Sequence, residues 1–284
     1  MYPEIESANS DSQSSLTVET AIADLTQKKD LGKRYYAAWW LGKFRVKEEE
    51  AIDALLSALE DQDDRSPDGG YPLRRNAAKA LGKLENTKVV PALINCLACE
   101  DYYVRESAAQ ALEMLGDHQA INPLLDLLRE AVDQSKLKPI AIETVVGKPH
   151  PIQPYEAIIE ALGTLNATDS ISLIEPFLQH PIAKIKYASA RAMYQLTQAS
   201  KYGKILVEAL QADGLQLRRS ALMDLGAIGY VEGGNAIAET LAENSLKLIS
   251  LKGLLEYQVT QDSQSDLQLS LQSQHLMDLM DSLL

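Results

Sequence analysis

Both tryptophans of this chain lie in one predicted helix, within the run Tyr35-Tyr36-Ala37-Ala38-Trp39-Trp40. Tyr35 and Trp39 are four residues apart, which places them on one face of a helix, and Tyr36 and Trp40 are related in the same way. Aromatic side chains of this kind offer flat apolar contact area with a polar group at the ring edge. The run therefore predicts a surface that binds a planar ligand or a partner protein.

Charged residues occupy the equivalent face of later predicted helices. The set consists of Glu106, Glu156 and Glu160, together with Arg75, Lys79, Tyr187 and Arg191. Carboxyl groups can accept N–H hydrogen bonds or exchange protons, and cationic side chains can bind the carboxylates of a ligand. We interpret the three glutamates as candidate catalytic groups and the other four residues as candidate ligand contacts. A solvated face of mixed charge is the alternative.

The familiar signatures of catalytic chemistry are absent from the sequence. It contains no Gly-rich phosphate loop, no Gly-x-Ser-x-Gly elbow and no His-Glu-x-x-His zinc motif. Cys96 and Cys99 lack the second Cys or His pair of a zinc site, so we expect apolar thiols and no metal. Transient covalent attachment of a ligand to one of them is the alternative. The four histidines fall in predicted turns or near the C-terminus and are expected at the surface.

Composition excludes several classes of protein. A net charge of −13 disfavours nucleic acid as the main partner, because binding phosphates needs a basic face. Aromatic residues make up only 6% of the chain, so the core must consist of Leu, Ala, Ile and Val. No apolar run reaches the ~18 residues of a membrane span, and the first residues do not resemble a signal peptide. We expect a cytoplasmic protein without integral membrane contact.

Six predicted helices share one pattern, which ends in Ala-Leu-Gly in its plainest form. The equivalent positions are Gly42, Gly82, Glu113, Gly163, Tyr194 and Gly226. Their spacing indicates a period of about 31 residues, with insertions near 63–72 and 133–154. A second set of helices is predicted between them, at 50–59, 89–97, 120–128, 171–178, 204–210 and 236–241. Two helices per period predict an all-α fold, a right-handed α-solenoid that curves into a superhelix, with the second helix of each repeat on its concave face.

The repeat phrase Asp-x-x-Val-Arg, best seen at 101–105, resembles the short form of HEAT repeats. In such repeats the Asp and Arg form a ladder between neighbours, which implies a structural role for Arg34, Arg74, Arg105 and Arg218. Small residues dominate the positions equivalent to Tyr36 and Trp40 in later repeats. We therefore expect these two side chains at a packing seam, where Trp40 caps the open end of the core against 18–25.

The two ends of the chain are expected to differ from the repeats. Residues 1–15 are rich in Ser, Asn, Asp and Gln and predict a disordered segment, the solenoid spans 16–258, and 259–284 is a linker followed by an amphipathic helix. The apolar residues of that helix recur at helical spacing. They are predicted to contact a partner subunit, with docking onto this chain as the alternative; the residues are Leu276, Leu279, Met280 and Leu283.

The segment from Tyr35 to Val46 resembles the signature of the E subunits of the heterodimeric phycocyanobilin lyases of cyanobacteria, and the resemblance extends over about 16–258. The E subunits of the lyase-isomerases that make phycoviolobilin carry much the same segment, and the plain lyase is preferred. The resemblance implies work with a homologous F subunit. Together the two would attach phycocyanobilin through a thioether to a cysteine of the phycocyanin alpha subunit, and could catalyse the reverse transfer.

In that family, phycocyanobilin is a transferred substrate, and no prosthetic group is implied. The acceptor thiolate adds to the ethylidene group of ring A while the tetrapyrrole is held and protonated. The aromatic residues named above would then stack on pyrrole rings, the basic residues would pair with the propionates, and the glutamates would accept pyrrole N–H bonds. A non-catalytic chaperone or adaptor that binds phycobiliproteins is the alternative function.

Overall fold

A computed structural model describes residues 16–135, 142–145, 148–262 and 269–284. The prediction of disorder for 1–15 lies outside these residues. Within them the chain forms fifteen α-helices and one pair of short strands. The helices are α1 (Val18–Thr26), α2 (Leu31–Lys43), α3 (Glu49–Leu59), α4 (Pro72–Gly82), α5 (Val90–Cys96), α6 (Tyr102–Leu115), α7 (Ile121–Ser135), α8 (Tyr155–Thr164), α9 (Ile171–Ile174), α10 (Ala183–Thr197), α11 (Ser200–Ala209), α12 (Leu215–Ile228), α13 (Gly234–Glu239), α14 (Asn244–Asp262) and α15 (Leu271–Asp281).

The helices form two rows, as expected for a helical-repeat solenoid. The B helices pack side by side in chain order and are α2, α4, α6, α8, α10, α12 and α14. The A helices each pack against the B helix that follows, and are α3, α5, α7, α9, α11 and α13. Helix α1 covers the first repeat by packing against α2 and α3. The prediction of a solenoid built from two-helix repeats is confirmed.

Close approach of the B helices depends on the repeated Ala-Leu-Gly. A Cβ atom added at Gly42 would lie 2.6 Å from the Cα of Ala80, and one added at Gly82 would lie 2.7 Å from the Cα of Ala111. The leucine before each glycine, Leu41 or Leu81, is fully buried. Burying such a leucine contributes about 1.5–3 kcal/mol relative to leaving it in water. The repeat phrase thus encodes both the core and the helix spacing.

We expect Gly82→Ala to destabilise the protein by ~1–3 kcal/mol, because the added methyl group overpacks the contact between α4 and α6. Urea denaturation followed by circular dichroism measures this change. Gly214→Ala is the matched control, since the nearest atom to its added Cβ is a side-chain carbon of Leu217 at 3.7 Å, an ordinary contact. Equal stability of the two variants would contradict the packing argument.

The expected ladder of arginines connects neighbouring repeats. Arg34 donates to the backbone oxygen of Leu25 at 3.1 Å and to the Asp61 carboxylate at 2.6 Å, and this ion pair is buried. Arg105 donates to the Gln153 side chain at 2.9 Å, across the long insertion. Arg218 donates to the backbone oxygen of Leu241 at 2.9 Å. Structural roles are therefore confirmed for these three arginines.

The pairing of the aspartate of the repeat phrase, Asp101, differs from the prediction. Asp101 begins α6 by accepting from the backbone N–H of Tyr103 at 2.8 Å, but its cationic partner is Arg75, at 2.7 Å. Arg74, the aligned residue, instead lies over the ring of Tyr71, 4.8 Å from its centroid. Arg75, rather than the aligned Arg74, therefore connects α4 to the next repeat.

Other boundaries also differ. The predicted helix 171–178 is α-helical only in α9 and continues as the 3-10 helix Glu175–Gln179, in which Pro176 has no N–H to donate. The predicted insertion 133–154 contains antiparallel strands β1 (Ile142–Val145) and β2 (Lys148–Pro151), which the sequence did not reveal. The loop near 63–72 is present between α3 and α4. Within the described residues, no helix is both long enough and apolar enough to cross a membrane.

The C-terminal helix packs on this chain, as the alternative prediction had it, and contact of its partly buried residues with a partner subunit stays a prediction. Helix α15 lies against α13 and α14, and Leu276 is buried there at 1% exposure. Leu279, Met280 and Leu283 are partly buried against the same core. The Ser273 hydroxyl bonds the Asp262 carboxylate at 2.6 Å, which holds the start of α15 to the end of α14. Helix α14 continues to Asp262, past the predicted end of the solenoid at 258. The predicted boundary therefore falls inside a helix.

Candidate functional site

Four consecutive B helices each contribute one charged side chain to a single cluster. Arg191 on α10 lies 3.3 Å from Glu113 on α6, 3.6 Å from Glu160 on α8 and 3.5 Å from Asp224 on α12, measured between guanidinium nitrogens and carboxylate oxygens. All four side chains are at most 20% exposed. We call these residues the Arg191 cluster.

One guanidinium cannot neutralise three carboxylates, and burial makes the excess negative charge costly. Burial raises the pKa of Glu160 to about 8; Arg191 opposes this shift, and the charges of Asp224, Glu156 and Glu113 add to it. Burial likewise raises the pKa of Asp224 to about 6, with Arg191 opposing and Glu156 and Glu113 adding. Near pH 7 the Glu160 carboxyl therefore retains a proton, held beside a cation at the protein surface.

The cluster opens into a cavity of about 290 Å³. Its walls include Glu156, Glu160, Lys184, Tyr187, Met223 and Asp224. Lys184 lies 3.9 Å from Glu156 at the rim, beyond hydrogen-bond distance, and is exposed. The cavity therefore has acidic walls, the Lys184 ammonium and the Arg219 guanidinium in its lining, and one half-buried tyrosine ring. Such a lining suits a ligand with N–H donors, a planar body and a carboxylate.

The structure separates the predicted catalytic glutamates. Glu160 belongs to the Arg191 cluster and Glu156 lies at the rim of the same cavity, one helical turn away. Glu106 does not take part in the ion pairs of the cluster; it lies near Tyr102, whose pKa is raised by burial and then by the charge of Glu106. The residue of α6 that reaches Arg191 is Glu113, two turns further along the helix.

Glu113 and Asp224 are the members that sequence reasoning missed, although the repeats contained a signal. Glu113 replaces the glycine of Ala-Leu-Gly, and Asp224 replaces an alanine that recurs in four other repeats. Carboxylates at positions of close packing are costly unless they meet a cation. Both exceptions meet the same cation, Arg191, but their common partner becomes visible only in three dimensions.

The aromatic run on α2 forms a separate exposed surface. The rings of Tyr36 and Trp39 stack with centroids 5.4 Å apart, and those of Trp40 and Phe44 are 4.7 Å apart. Tyr35, Tyr36, Trp39 and Phe44 are 46%, 52%, 43% and 60% exposed. Trp40 alone is partly buried against the core, where the sequence placed it. We call these five residues the α2 aromatic surface.

The expected packing seam at Tyr36 is wrong. More than half of its side chain is exposed. On the neighbouring helix, Asn76 donates to the backbone oxygen of Tyr35 at 3.2 Å. This bond ties α4 to the backbone of α2 and leaves the Tyr36 ring outside the helix contact. Tyr36 consequently joins Tyr35 and Trp39 on the exposed face.

The basic residues predicted on α4 lie in other surroundings. Arg75 is engaged by Asp101 and stacks over Tyr103, 4.6 Å from the ring centroid, while Lys79 is exposed. Helix α4 follows α2 directly in the B row, whereas the Arg191 cluster centres on α10. At ~8–10 Å between adjacent helices, four steps separate α2 from α10 by roughly 30–40 Å along the row. The nearest member of the cluster, Glu113 on α6, is two steps from α2, roughly 16–20 Å along the row.

The remaining candidate groups are unsuited to chemistry at this site. Burial raises the pKa of Cys96 to about 11, so its thiol stays neutral, and Cys99 is partly buried. His180 corrects the expectation of surface histidines: it is buried at 7% exposure, and its Nδ1 accepts from the backbone N–H of Ile182 at 3.1 Å. Burial lowers the pKa of His180, which keeps the ring neutral.

Comparison with known proteins agrees with this architecture. A family model of HEAT repeats matches residues 65–145, and a model of the PBS lyase HEAT-like repeat matches 33–61. The phycocyanobilin lyase subunit alpha of Picosynechococcus sp. is 60% identical over 268 residues, covering 94% of this chain and 96% of the relative. The bilin biosynthesis protein PecE of Nostoc sp. PCC 7120 is 44% identical over 249 residues, covering 87% and 90%.

The solved complex of CpcE and CpcF of phycocyanin lyase from Nostoc sp. PCC7120 contains a chain with the same fold. It is 56% identical, with a TM-score of 0.83, and the match covers 99% of this chain and 100% of that one. Identity to the lyase subunit is higher than identity to PecE, and both extend over almost the whole solenoid. From these relationships, the chain belongs to the family of phycocyanobilin lyase alpha subunits.

Proposed function

We propose that this chain is the alpha subunit of a phycocyanobilin lyase that acts with an F subunit and attaches phycocyanobilin to a cysteine of the phycocyanin alpha subunit. The observation that carries the proposal is 60% identity, over 94% of the chain, to a subunit of that name. A solved complex of two lyase subunits, one of them with this fold, supports the heterodimer.

The reaction needs no oxidant or reductant. The acceptor thiol adds across the ethylidene double bond of ring A. A carbon–sulfur bond forms as the π bond is lost. The thiol gives up its proton, and the other carbon of the double bond receives one. A protonated tetrapyrrole is the better electrophile for this addition. The lyase therefore gains by binding the bilin in an acidic site that supplies a proton and then stabilises the resulting cation.

The Arg191 cluster supports this role. Glu160 retains a proton near neutral pH, and the nearby Asp224 and Glu113 carboxylates can stabilise positive charge on the ring nitrogens. Arg191 holds all three acidic side chains, and the Glu113 and Asp224 carboxylates together outweigh its single positive charge. In this proposal Glu160 donates a proton to the bound bilin, Asp224 accepts pyrrole N–H bonds, and Tyr187 contacts the ring plane at the cavity wall.

The α2 aromatic surface has a different role in the proposal, namely contact with the F subunit. Three exposed aromatic side chains on α2, and Phe44 directly after it, lie beside the exposed Lys43 and Arg45. This grouping matches the composition of a protein interface core and its polar edge. The surface lies on the first repeat, away from the acidic cavity. The stacking of bilin rings on these residues, which the sequence favoured, remains the competing interpretation.

Reconstitution tests the proposed function. The chain is co-expressed with a candidate F subunit, the apo-phycocyanin alpha subunit and phycocyanobilin, and the covalent red-absorbing adduct is measured after denaturation. We expect adduct only when both lyase subunits are present. Formation of a complex with phycocyanin but no increase in adduct above the background without lyase would instead favour the chaperone or adaptor function.

We expect the double variant Cys96→Ala, Cys99→Ala to retain attachment activity, because the buried Cys96 thiol with its pKa near 11 is a poor nucleophile at neutral pH. Initial rates of adduct formation measure the effect. A variant that folds and binds the F subunit but forms no adduct would show that a covalent bilin intermediate on this chain is required.

A further inference from the structure

The two cysteines of the chain lie together at the end of one A helix. Cys96 is the last residue of α5, and Cys99 follows three residues later. Both are free thiols. Cys96 is 4% exposed, whereas Cys99 is only partly buried against the same core. Redox-sensitive thiols commonly consist of one accessible cysteine with a second, resolving cysteine beside it. This pair has that arrangement.

The backbone that follows α5 brings the two side chains close to each other. The N–H groups of Leu97, Ala98 and Cys99 each donate to the carbonyl oxygen three residues earlier, at 3.0, 3.2 and 3.1 Å. Such bonds define a 3-10 turn, in which side chains three residues apart eclipse each other and each residue rises ~2.0 Å along the axis. The Cα atoms of Cys96 and Cys99 are therefore ~6 Å apart. Disulfides join Cα atoms that are ~4.4–6.8 Å apart, so this turn has room for one.

A guanidinium group stands beside the buried thiol. Arg74 is the arginine that the repeat pattern aligns with the ladder, but Arg75 makes the ion pair with Asp101 in its place. Burial raises the pKa of Cys96 to about 11; Arg74 opposes this rise through its charge and a hydrogen bond, and the charge of Cys99 adds to it. A neighbouring arginine favours the thiolate, which is the reactive form of cysteine. The exception to the ladder therefore places a cation at this pair of cysteines.

We propose that Cys96 and Cys99 are a modification site, a dithiol that forms a reversible disulfide by exchange with the disulfide of a small thiol compound such as oxidised glutathione. Cys99 loses its proton and attacks one sulfur of that disulfide, which forms a mixed disulfide and releases one thiolate. Cys96 then loses its proton and attacks the Cys99 sulfur, which releases the second thiolate. The chain gives up two electrons and two protons, and the small disulfide takes them up as two thiols.

The buried position of Cys96 favours the disulfide over the reduced pair. A dithiol resists oxidation when its thiolate is strongly stabilised, as in the most oxidising disulfide-exchange proteins. With its pKa raised to about 11, Cys96 gains no such stabilisation. A disulfide is uncharged and suits an apolar core. The second step is also intramolecular, and holding two groups in one turn strongly accelerates their reaction.

Oxidation at this turn acts on the contact between repeats. Arg105 donates to the backbone oxygen of Cys99 at 2.6 Å and to the side chain of Gln153 at 2.9 Å. Asp101, which begins α6 and pairs with Arg75, is two residues after Cys99. A disulfide that fixes the turn therefore also fixes the backbone from which the ladder leads to the neighbouring repeats.

The sequence allows a direct measurement of the disulfide. Trypsin cleaves after Lys88 and Arg105, so the peptide 89–105 contains both cysteines of the chain. The folded full-length protein is incubated with oxidised glutathione near pH 7, the remaining thiols are alkylated in denaturant, and the peptide is weighed by mass spectrometry. We expect it to lose both alkylation sites and two hydrogen atoms, and dithiothreitol should restore them. Two alkylated cysteines, or a stable glutathione adduct without the internal disulfide, would overturn the proposal.

Arg74→Gln tests whether the surroundings of Cys96 take part. Loss of the guanidinium should slow the second step by about threefold for each tenfold loss of thiolate, because a thiol of higher pKa is also more nucleophilic. The glutathione adduct should therefore accumulate before the disulfide forms. Arg65→Gln is the matched control, since Arg65 also lies over the Tyr71 ring, 4.1 Å from its centroid, but forms its ion pair with Glu100. Equal rates in the two variants would contradict the role of Arg74.

Single cysteine variants test the order of the two steps and keep the proposal testable should Arg74→Gln fail to fold. Cys96→Ser should stop at the glutathione adduct of Cys99, since the resolving thiol is gone. Cys99→Ser should form adduct at least about tenfold more slowly, because the remaining thiol is buried and has its pKa raised to about 11. Faster reaction of Cys99→Ser would reverse the proposed order and contradict it. None of these outcomes depends on attachment of a bilin, so they leave the proposed lyase function untouched.

Discussion

Replacement of Glu160 by Gln should lower the rate of phycocyanobilin attachment by about 10²-fold or more at pH 7, the usual magnitude of a lost general acid. Glutamine keeps the size and hydrogen-bonding shape of the carboxyl group but has no proton to transfer. The wild-type rate should also decline as the pH rises through about 8, where Glu160 loses its proton. In the variant this decline should disappear, so the initial rate as a function of pH is the measurement.

The Glu160→Gln variant should also change how the free energy of unfolding depends on pH, an effect that does not require catalysis. In the unfolded chain Glu160 loses its proton near its ordinary pKa of 4.5, whereas in the folded protein it keeps the proton to about 8. Between these pH values the folded state binds more protons, so the free energy of unfolding falls as the pH rises. Glu160→Gln should remove this fall and be more stable than the wild type at pH 8. Urea denaturation at pH 5 and pH 8 compares the two proteins.

Glu156→Gln is the matched control, since it makes the same chemical change one helical turn away on α8. Its side chain is 35% exposed at the cavity rim, against 20% for Glu160. We expect a much smaller loss of rate. Equal losses in the two variants would mean that the cavity needs overall negative charge rather than a proton at Glu160.

The double variant Tyr36→Ala, Trp39→Ala should weaken binding of the F subunit by ~2–4 kcal/mol, which is about 30- to 1,000-fold, the range typical of interface hot spots. These two rings stack on each other and are both exposed, so their removal takes away one flat contact area without opening the core. Isothermal titration with purified F subunit measures the affinity. The affinity of the preformed complex for phycocyanobilin should remain unchanged.

Met277→Ala serves as the control for this second prediction, because Met277 is as exposed as Trp39 but lies on α15 at the far end of the chain. It should bind the F subunit normally. The double variant could instead keep wild-type affinity for the F subunit and lose much of its affinity for phycocyanobilin. That result would show that the bilin binds to the α2 aromatic surface.

Local rules explain why the fold could be inferred from sequence. Most repeats carry a buried leucine and a glycine or alanine at the helix contact, as Leu81 and Gly82 do on α4, so the pattern of one helix predicts how it packs on the next. Two-helix repeats contact mainly their neighbours, and the period therefore suffices to predict a solenoid. The family resemblance likewise rests on one contiguous segment, Tyr35 to Val46, and the comparisons confirm it.

The site could not be inferred in this way, because its members are far apart in sequence and are exceptions to the repeat. Glu113 and Asp224 each replace a small residue, and nothing in their own helices indicates that both meet Arg191. Whether an exposed aromatic ring or a half-buried tyrosine contacts a ligand also depends on which helices stand beside it. The Tyr36 ring, for example, is exposed although small residues occupy its position in later repeats.

The sequence by itself therefore determined the all-α repeat, its period, its small-residue contacts and its family. The tertiary structure alone decided that α15 packs on its own chain, that Arg75 is held by Asp101, and that one guanidinium gathers three carboxylates from α6, α8 and α12. The physical reason is the range of the forces. Helix periodicity and close packing act between neighbours in the chain or in adjacent repeats, whereas the pKa of Glu160 depends on burial and on charges carried by four different helices.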